Sequence, residues 1–114
     1  MTIYGVSQSS GAERRLTLEQ GGEGAVLTIT DHATNKEQQR ILVQVEELLH
    51  AVTDPPAGGT SVPGIVPPHG LPLRLDLEVR RNEVLLTVRT GTGIDVAVGL
   101  DDFRDGLESV IGRA

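Results

Sequence analysis

The chain has 114 residues, with ten Lys and Arg against sixteen Asp and Glu and no cysteine. That length predicts one domain whose small core buries about two-thirds of the unfolded chain's surface. The missing cysteine excludes disulfides and thiolate metal sites, and a net charge of −6 weighs against non-specific binding of polyanions. No apolar run approaches the roughly 20 residues of a membrane-spanning helix. The first residues, MTIYGVSQSSGAERR, lack a basic start followed by an apolar stretch, so no secretory signal and a cytoplasmic location are expected.

In chain order, residues 2–6 read as a short opening strand. Alternation of apolar and polar residues then predicts strands centred on 16–20, 25–30 and 41–45. Asp31 and His32 fall in the hairpin before the last of these, which is turn chemistry. A short helix over 46–52 stops before Asp54-Pro55. Residues 53–72 hold all six prolines and four glycines, with Asp54 as the sole Asp, Glu, Lys or Arg, and read as a stiff linker. Within it, 62–66 is a faint counterpart of the opening strand, weakened by Pro63. Leu73, Leu75, Leu77 and Val79 then alternate with Arg74, Asp76, Glu78 and Arg80. A turn at Arg81-Asn82-Glu83 leads to Val84, Leu86 and Val88. Gly91-Thr92-Gly93 turns again into Ile94, Val96, Val98 and Leu100, with Asp95, Ala97 and Gly99 outward. Asp101 suits a helix N-cap, and Phe103, Leu107, Val110 and Ile111 form the apolar stripe that follows.

The chain is thus written twice. Residues 16–29 lie over 75–88 at an offset of 59, and Leu16, Leu18, Glu19, Leu27 and Thr28 recur as Leu75, Leu77, Glu78, Leu86 and Thr87. Residues 43–52 lie over 98–107 at an offset of 55. The expected fold is α+β: a duplicated β-β-β-α unit, or β-β-β-β-α if the short strands count. Antiparallel sheets are each covered by a helix, with pseudo-two-fold symmetry. One domain, 1–114, would consist of repeats over about 1–52 and 73–114 joined by the linker 53–72.

A meander followed by a helix that opens on an acidic–Phe–Arg–Asp stretch resembles a PUR repeat. The residues that carry the likeness are 75–79, 84–88 and above all 94–111 (IDVAVGLDDFRDGLESVI); residues 16–52 share the pattern alone. The resemblance to PUR-type and Whirly-type proteins implies single-stranded nucleic-acid binding on a sheet face. Such proteins present aromatic and basic side chains to bases and phosphates. Here the opening strands offer Leu16, Leu18, Leu73 and Leu75 instead, and Tyr4 is the one aromatic free for such a role.

Arg15 corresponds to Arg74, and Arg80, Arg81 and Arg89 lie near Arg74 in the second copy. These five arginines are the candidate phosphate contacts. Glu19, Asp76, Glu78 and Asp95 share their neighbourhood, so the same residues also read as a solvated sheet whose cross-strand pairs contribute about 0.2–1 kcal/mol each. Val26, Leu42 and Leu85 break the alternation on the outward side and are candidate interface residues, toward a second subunit, a partner protein or the linker.

For catalysis, His32, His50 and His69 lack metal-ligand spacing, and no HExxH, GxSxG or P-loop occurs. Glu46/Glu47 and Asp101/Asp102 suit the positive ends of two helices. No catalytic residue, metal or cofactor is expected. Two functions stay open: a non-enzymatic module for single-stranded DNA or RNA, or a protein-interaction or homo-oligomerisation module on the same fold.

Overall fold

The alternating apolar residues of each copy need a shared interior, and the chain supplies one by closing on itself. The computed structural model describes residues 1–22, 24–54, 57–67, 70–89 and 93–111. The first half contains β1 (Thr2–Val6), β2 (Glu13–Gly21), β3 (Gly24–Asp31), β4 (Glu37–Gln44) and α1 (Val45–Thr53). The second contains β5 (Thr60–Ile65), β6 (Pro72–Arg80), β7 (Glu83–Arg89), β8 (Ile94–Gly99) and α2 (Leu100–Ile111). Each strand pairs antiparallel with the next and β8 returns to β1, so two β-β-β-β-α units form one closed eight-stranded barrel. This architecture matches the PUR/Whirly-like one.

The 59-residue offset extends to the opening strand and its faint counterpart. Ile3 faces Leu16 across β1–β2, and Val62 faces Leu75 across β5–β6. Ile3 and Val62 are themselves 59 apart, so β5 is the counterpart of β1, although it lies inside the segment read as linker. Pro63 is tolerated because the pairing of β5 with β4 begins only beyond it, at Gly64 and Ile65.

The halves meet at two short seams. Leu42 and Val43 of β4 pair with Ile65 and Gly64 of β5, while Val6 of β1 pairs with Ala97 of β8. Glycine occupies the equivalent place in both. A Cβ on Gly64 would stand 2.7 Å from the Leu42 carbonyl oxygen and 2.7 Å from Val43 Cγ1. A Cβ on Gly5 would run into the Ala97 carbonyl and Val98. The duplicated backbone approaches itself closely at both joins, and only a residue without a side chain fits.

Since neighbours are antiparallel, β4 and β8 end at the same rim, and both helices start there. Their apolar sides plug that rim. Leu48, Val52, Phe103 and Leu107 are fully buried in one cluster with Leu16, Leu18, Leu27, Leu75 and Leu86 from the strands. Leu48 and Val52 are the 55-residue counterparts of Phe103 and Leu107. Arg104 Nη2 donates to the Val52 carbonyl at 2.9 Å, which ties α2 to the last turn of α1.

Two helix starts differ from expectation. α1 opens at Val45, one residue early, with Gln44 as a cap that offers no side-chain hydrogen bond. α2 opens at Leu100, so Asp101 lies in its first turn and is not the cap. The Leu100 amide donates instead to the Asn82 carbonyl of the β6–β7 turn at 2.7 Å, because the barrel rim already supplies an acceptor. His69, Gly91, Thr92 and the side chain of Ile111 lie outside the described residues.

Candidate functional site

The barrel separates the five candidate arginines. Arg15 is on β2 and Arg74 on β6, four strands apart in a ring of eight, hence on opposite sides of the molecule. Arg74 and Arg89 are direct cross-strand partners. Arg80 and Arg81 lie at the far end of the same hairpin, about 20 Å along β6 by the rise of roughly 3.3 Å per residue.

On the second half the arginines are largely engaged. Arg80 holds Glu78 through two nitrogens, Nε and Nη2, each at 2.9 Å. That hydrogen-bonded pairing lowers the Glu78 carboxyl below its ordinary range and raises Arg80 above its own. Arg89 Nη1 approaches Asp76 Oδ2 at 3.3 Å, and Arg74 donates to Ser61 Oγ at 2.7 Å and to the Ser61 carbonyl at 3.2 Å. Arg81 makes no ion pair among the described residues. Its backbone is left-handed, with φ 54°, where its counterpart in the first copy is Gly22 at φ 67°. A non-glycine residue there carries strain on the order of 1 kcal/mol.

The first half presents a different face. Tyr4 on β1, 67 % exposed, pairs across the ladder with Arg15, which pairs in turn with Thr30. His32, from the β3–β4 turn, meets the Tyr4 ring edge-on at a centroid distance of 5.6 Å. Arg15 Nη2 donates to Asn35 Oδ1 in that turn. Arg15 Nε and Thr28 Oγ1 are buried with no hydrogen-bond partner among the described residues. Tyr4, His32, Arg15 and Asn35 thus converge from two strands and one turn. Tyr4 and His32 are 28 residues apart and meet through the strand path β1–β2–β3, so alternation and turn chemistry give no signal of the contact.

Charge is unevenly placed as well. Glu46, Glu47, Asp101, Asp102, Asp105 and Glu108 are all exposed on α1 and α2, against Arg104. They account for five of the chain's six net negative charges. The strand faces, taken together, are close to balance.

The candidate interface residues are paired with the seams. Val26 faces Leu42 across β3–β4, and Leu42 faces Ile65 across the β4–β5 join. Leu85, the counterpart of Val26, faces Ala97, which faces Val6 across the other join. Apolar side chains therefore cover each seam from outside, where backbone pairing is shortest. Val26, Leu42 and Leu85 are each half-buried; Leu85 also lines an open groove of about 420 Å³ with Asp76, Glu78, Thr87 and Ser61.

Asp95 departs furthest from its reading as an outward, solvated carboxylate. It is 6 % exposed, because the segment just after β1 folds over it. Ser7 Oγ and Ser9 Oγ donate to Oδ1 at 2.8 and 2.7 Å, and the Gln8 and Ser9 amides donate to Oδ2 at 2.8 and 3.2 Å. Arg14 Nη1 lies 3.5 Å from Oδ1 and donates to the Asp95 carbonyl at 2.7 Å. Burial by itself raises the carboxyl, but the donors from Ser9, Ser7 and Gln8 together outweigh it and the pKa falls below the ordinary value. Asp95 therefore stabilises the fold at and above the ordinary carboxylate range, and the contribution is lost as pH falls through its lowered folded value.

Among the described residues no three His, Cys, Asp or Glu side chains gather into a metal-binding group, and no helix is long and apolar enough to cross a membrane. Comparison with protein-family models, curated proteins and solved structures finds no match to this chain. The fold and its surface therefore carry the functional argument.

Proposed function

We propose that the chain is a non-enzymatic module that binds single-stranded nucleic acid, with the outer face of its first half as the main contact. Tyr4 carries the reading: an exposed ring on a strand, with His32 at its edge and Arg15 on the next strand. A base stacks on such a ring, and Arg15 stands where the adjoining phosphate passes. The location of most net negative charge on the helices supports the reading, since a polyanion meets strand faces near neutrality. Arg74 and Arg89 form the equivalent row on the second half. Arg80 and Arg81 extend it along the hairpin, where the strained backbone of Arg81 is consistent with a side chain retained for contact.

The test is fluorescence anisotropy of a labelled single-stranded oligonucleotide at two salt concentrations. Binding should weaken steeply with salt. Tyr4→Ala should lower affinity about 5- to 150-fold, the equivalent of the roughly 1–3 kcal/mol of one stacked base. Arg15→Glu should weaken binding further than the Arg74→Glu, Arg80→Glu double variant does. Absence of binding at low salt overturns the assignment.

A second reading has its own observation, the apolar pairs outside both seams. It makes the chain a protein-interaction or homo-oligomerisation module through Val26, Leu42 and Leu85. Sedimentation velocity over a wide concentration range distinguishes the two. A strict monomer that binds oligonucleotide removes the second, and a salt-resistant dimer that binds none removes the first.

A further inference from the structure

We infer that Asp95 is the latch that closes the barrel, holding the N-terminal strand against β8 at a seam whose backbone pairing is too short to do so. The two seams share a duplicated design but are fastened differently. At the β4–β5 seam two registered pairs, Leu42 with Ile65 and Val43 with Gly64, hold the strands. At the β1–β8 seam the register gives Val6 with Ala97.

The chain compensates just beyond that pair. The segment leaving β1 delivers four donors, the Ser7 and Ser9 hydroxyls and the Gln8 and Ser9 amides, to one carboxylate on β8. Arg14, from β2, adds its guanidinium to the Asp95 carbonyl and lies near Oδ1, so three consecutive parts of the barrel converge on one residue. Hydrogen bonds to an ionised, buried acceptor are the strong kind, and removal of the charge leaves those donors facing a poorer acceptor.

The device is not inherited from the duplication. The position equivalent to Asp95 is Arg40, exposed and paired with Glu37, and the position equivalent to Ser7 is Val66. The latch therefore belongs to one seam alone, and its loss acts locally. The N-terminal strand parts from β8 and keeps its pairing with β2, while the β4–β5 seam stays shut. The inference does not depend on what the outer face binds.

The experiment is residue-resolved amide hydrogen exchange on the full chain, wild type against Asp95→Asn, which preserves shape and removes the charge. Exchange at residues 5–9 and 95–98 should accelerate at least tenfold, with amides at 42–43 and 64–65 unchanged. Uniform acceleration at both seams, or none at the first, overturns the latch. Should Asp95→Asn fail to fold, Ser9→Ala leaves the carboxylate and removes one hydroxyl donor. It should give the same seam-specific acceleration in smaller measure, and equal exchange at both seams again overturns the inference.

Discussion

Phe103 shows how much one side chain carries in a core with almost no aromatic residues. It is the chain's one phenylalanine, is fully buried, and sits where the first copy has Leu48. Phe103→Ala should cost about 3–5 kcal/mol, because the rim it plugs is lined by strand residues that cannot collapse inward. A thermal melt checks this, and an unchanged midpoint would mean the ring is not structural. Asp95 and Arg81 make the opposite point. Each breaks the symmetry of the duplication: Asp95 stands where the first copy has Arg40 and belongs to a cluster that copy lacks, while Arg81 stands at a left-handed turn that the first copy makes with Gly22.

At the scale of elements, β5 is the instructive case. Its sequence, TSVPGI, has a proline, a glycine and little alternation, so it reads as a faint strand inside a linker. It becomes a strand because β6 offers a full antiparallel partner over 60–65 and because Gly64 lets β4 approach. Gly64→Ala should therefore destabilise the fold by about 1–3 kcal/mol, the usual range for atoms forced into a packed contact. The shift in denaturation midpoint measures it, and no shift would show that the seam yields freely. The helices follow a simpler logic. Their acidic first turns and apolar stripes were readable in sequence. Their exact starts were set by the rim, where the Asn82 carbonyl receives the Leu100 amide.

At the scale of the molecule, two copies share one interior. The core cluster draws on all eight strands and both helices, and neither half keeps a closed sheet without the other. Denaturation should accordingly be a single cooperative transition, coincident by far-ultraviolet circular dichroism and by the fluorescence of Tyr4, the chain's one tyrosine. Two separated transitions would show the halves to be independent units. Closure also gives the surface its polarity, with acidic helices at one rim and near-neutral strand faces around the wall, which bears directly on where a polyanion settles.

By itself the sequence determined the duplication, the order of strands and helices, the aliphatic interior and the arginines on outward positions. These follow from local rules: period-two alternation, helical spacing and a repeat at fixed offset. Tertiary structure alone decided that the sheets close into a barrel, that the faint strand read at 62–66 pairs as β5 over 60–65, and that Asp95 is buried beneath Ser7–Ser9. It also decided that Tyr4 meets His32 and that Arg15 is held half a barrel away from Arg74. The physical reason is common to all of these. Each depends on a contact between residues distant in the chain, fixed by which strands pair and in what register, and neither alternation nor composition encodes that pairing.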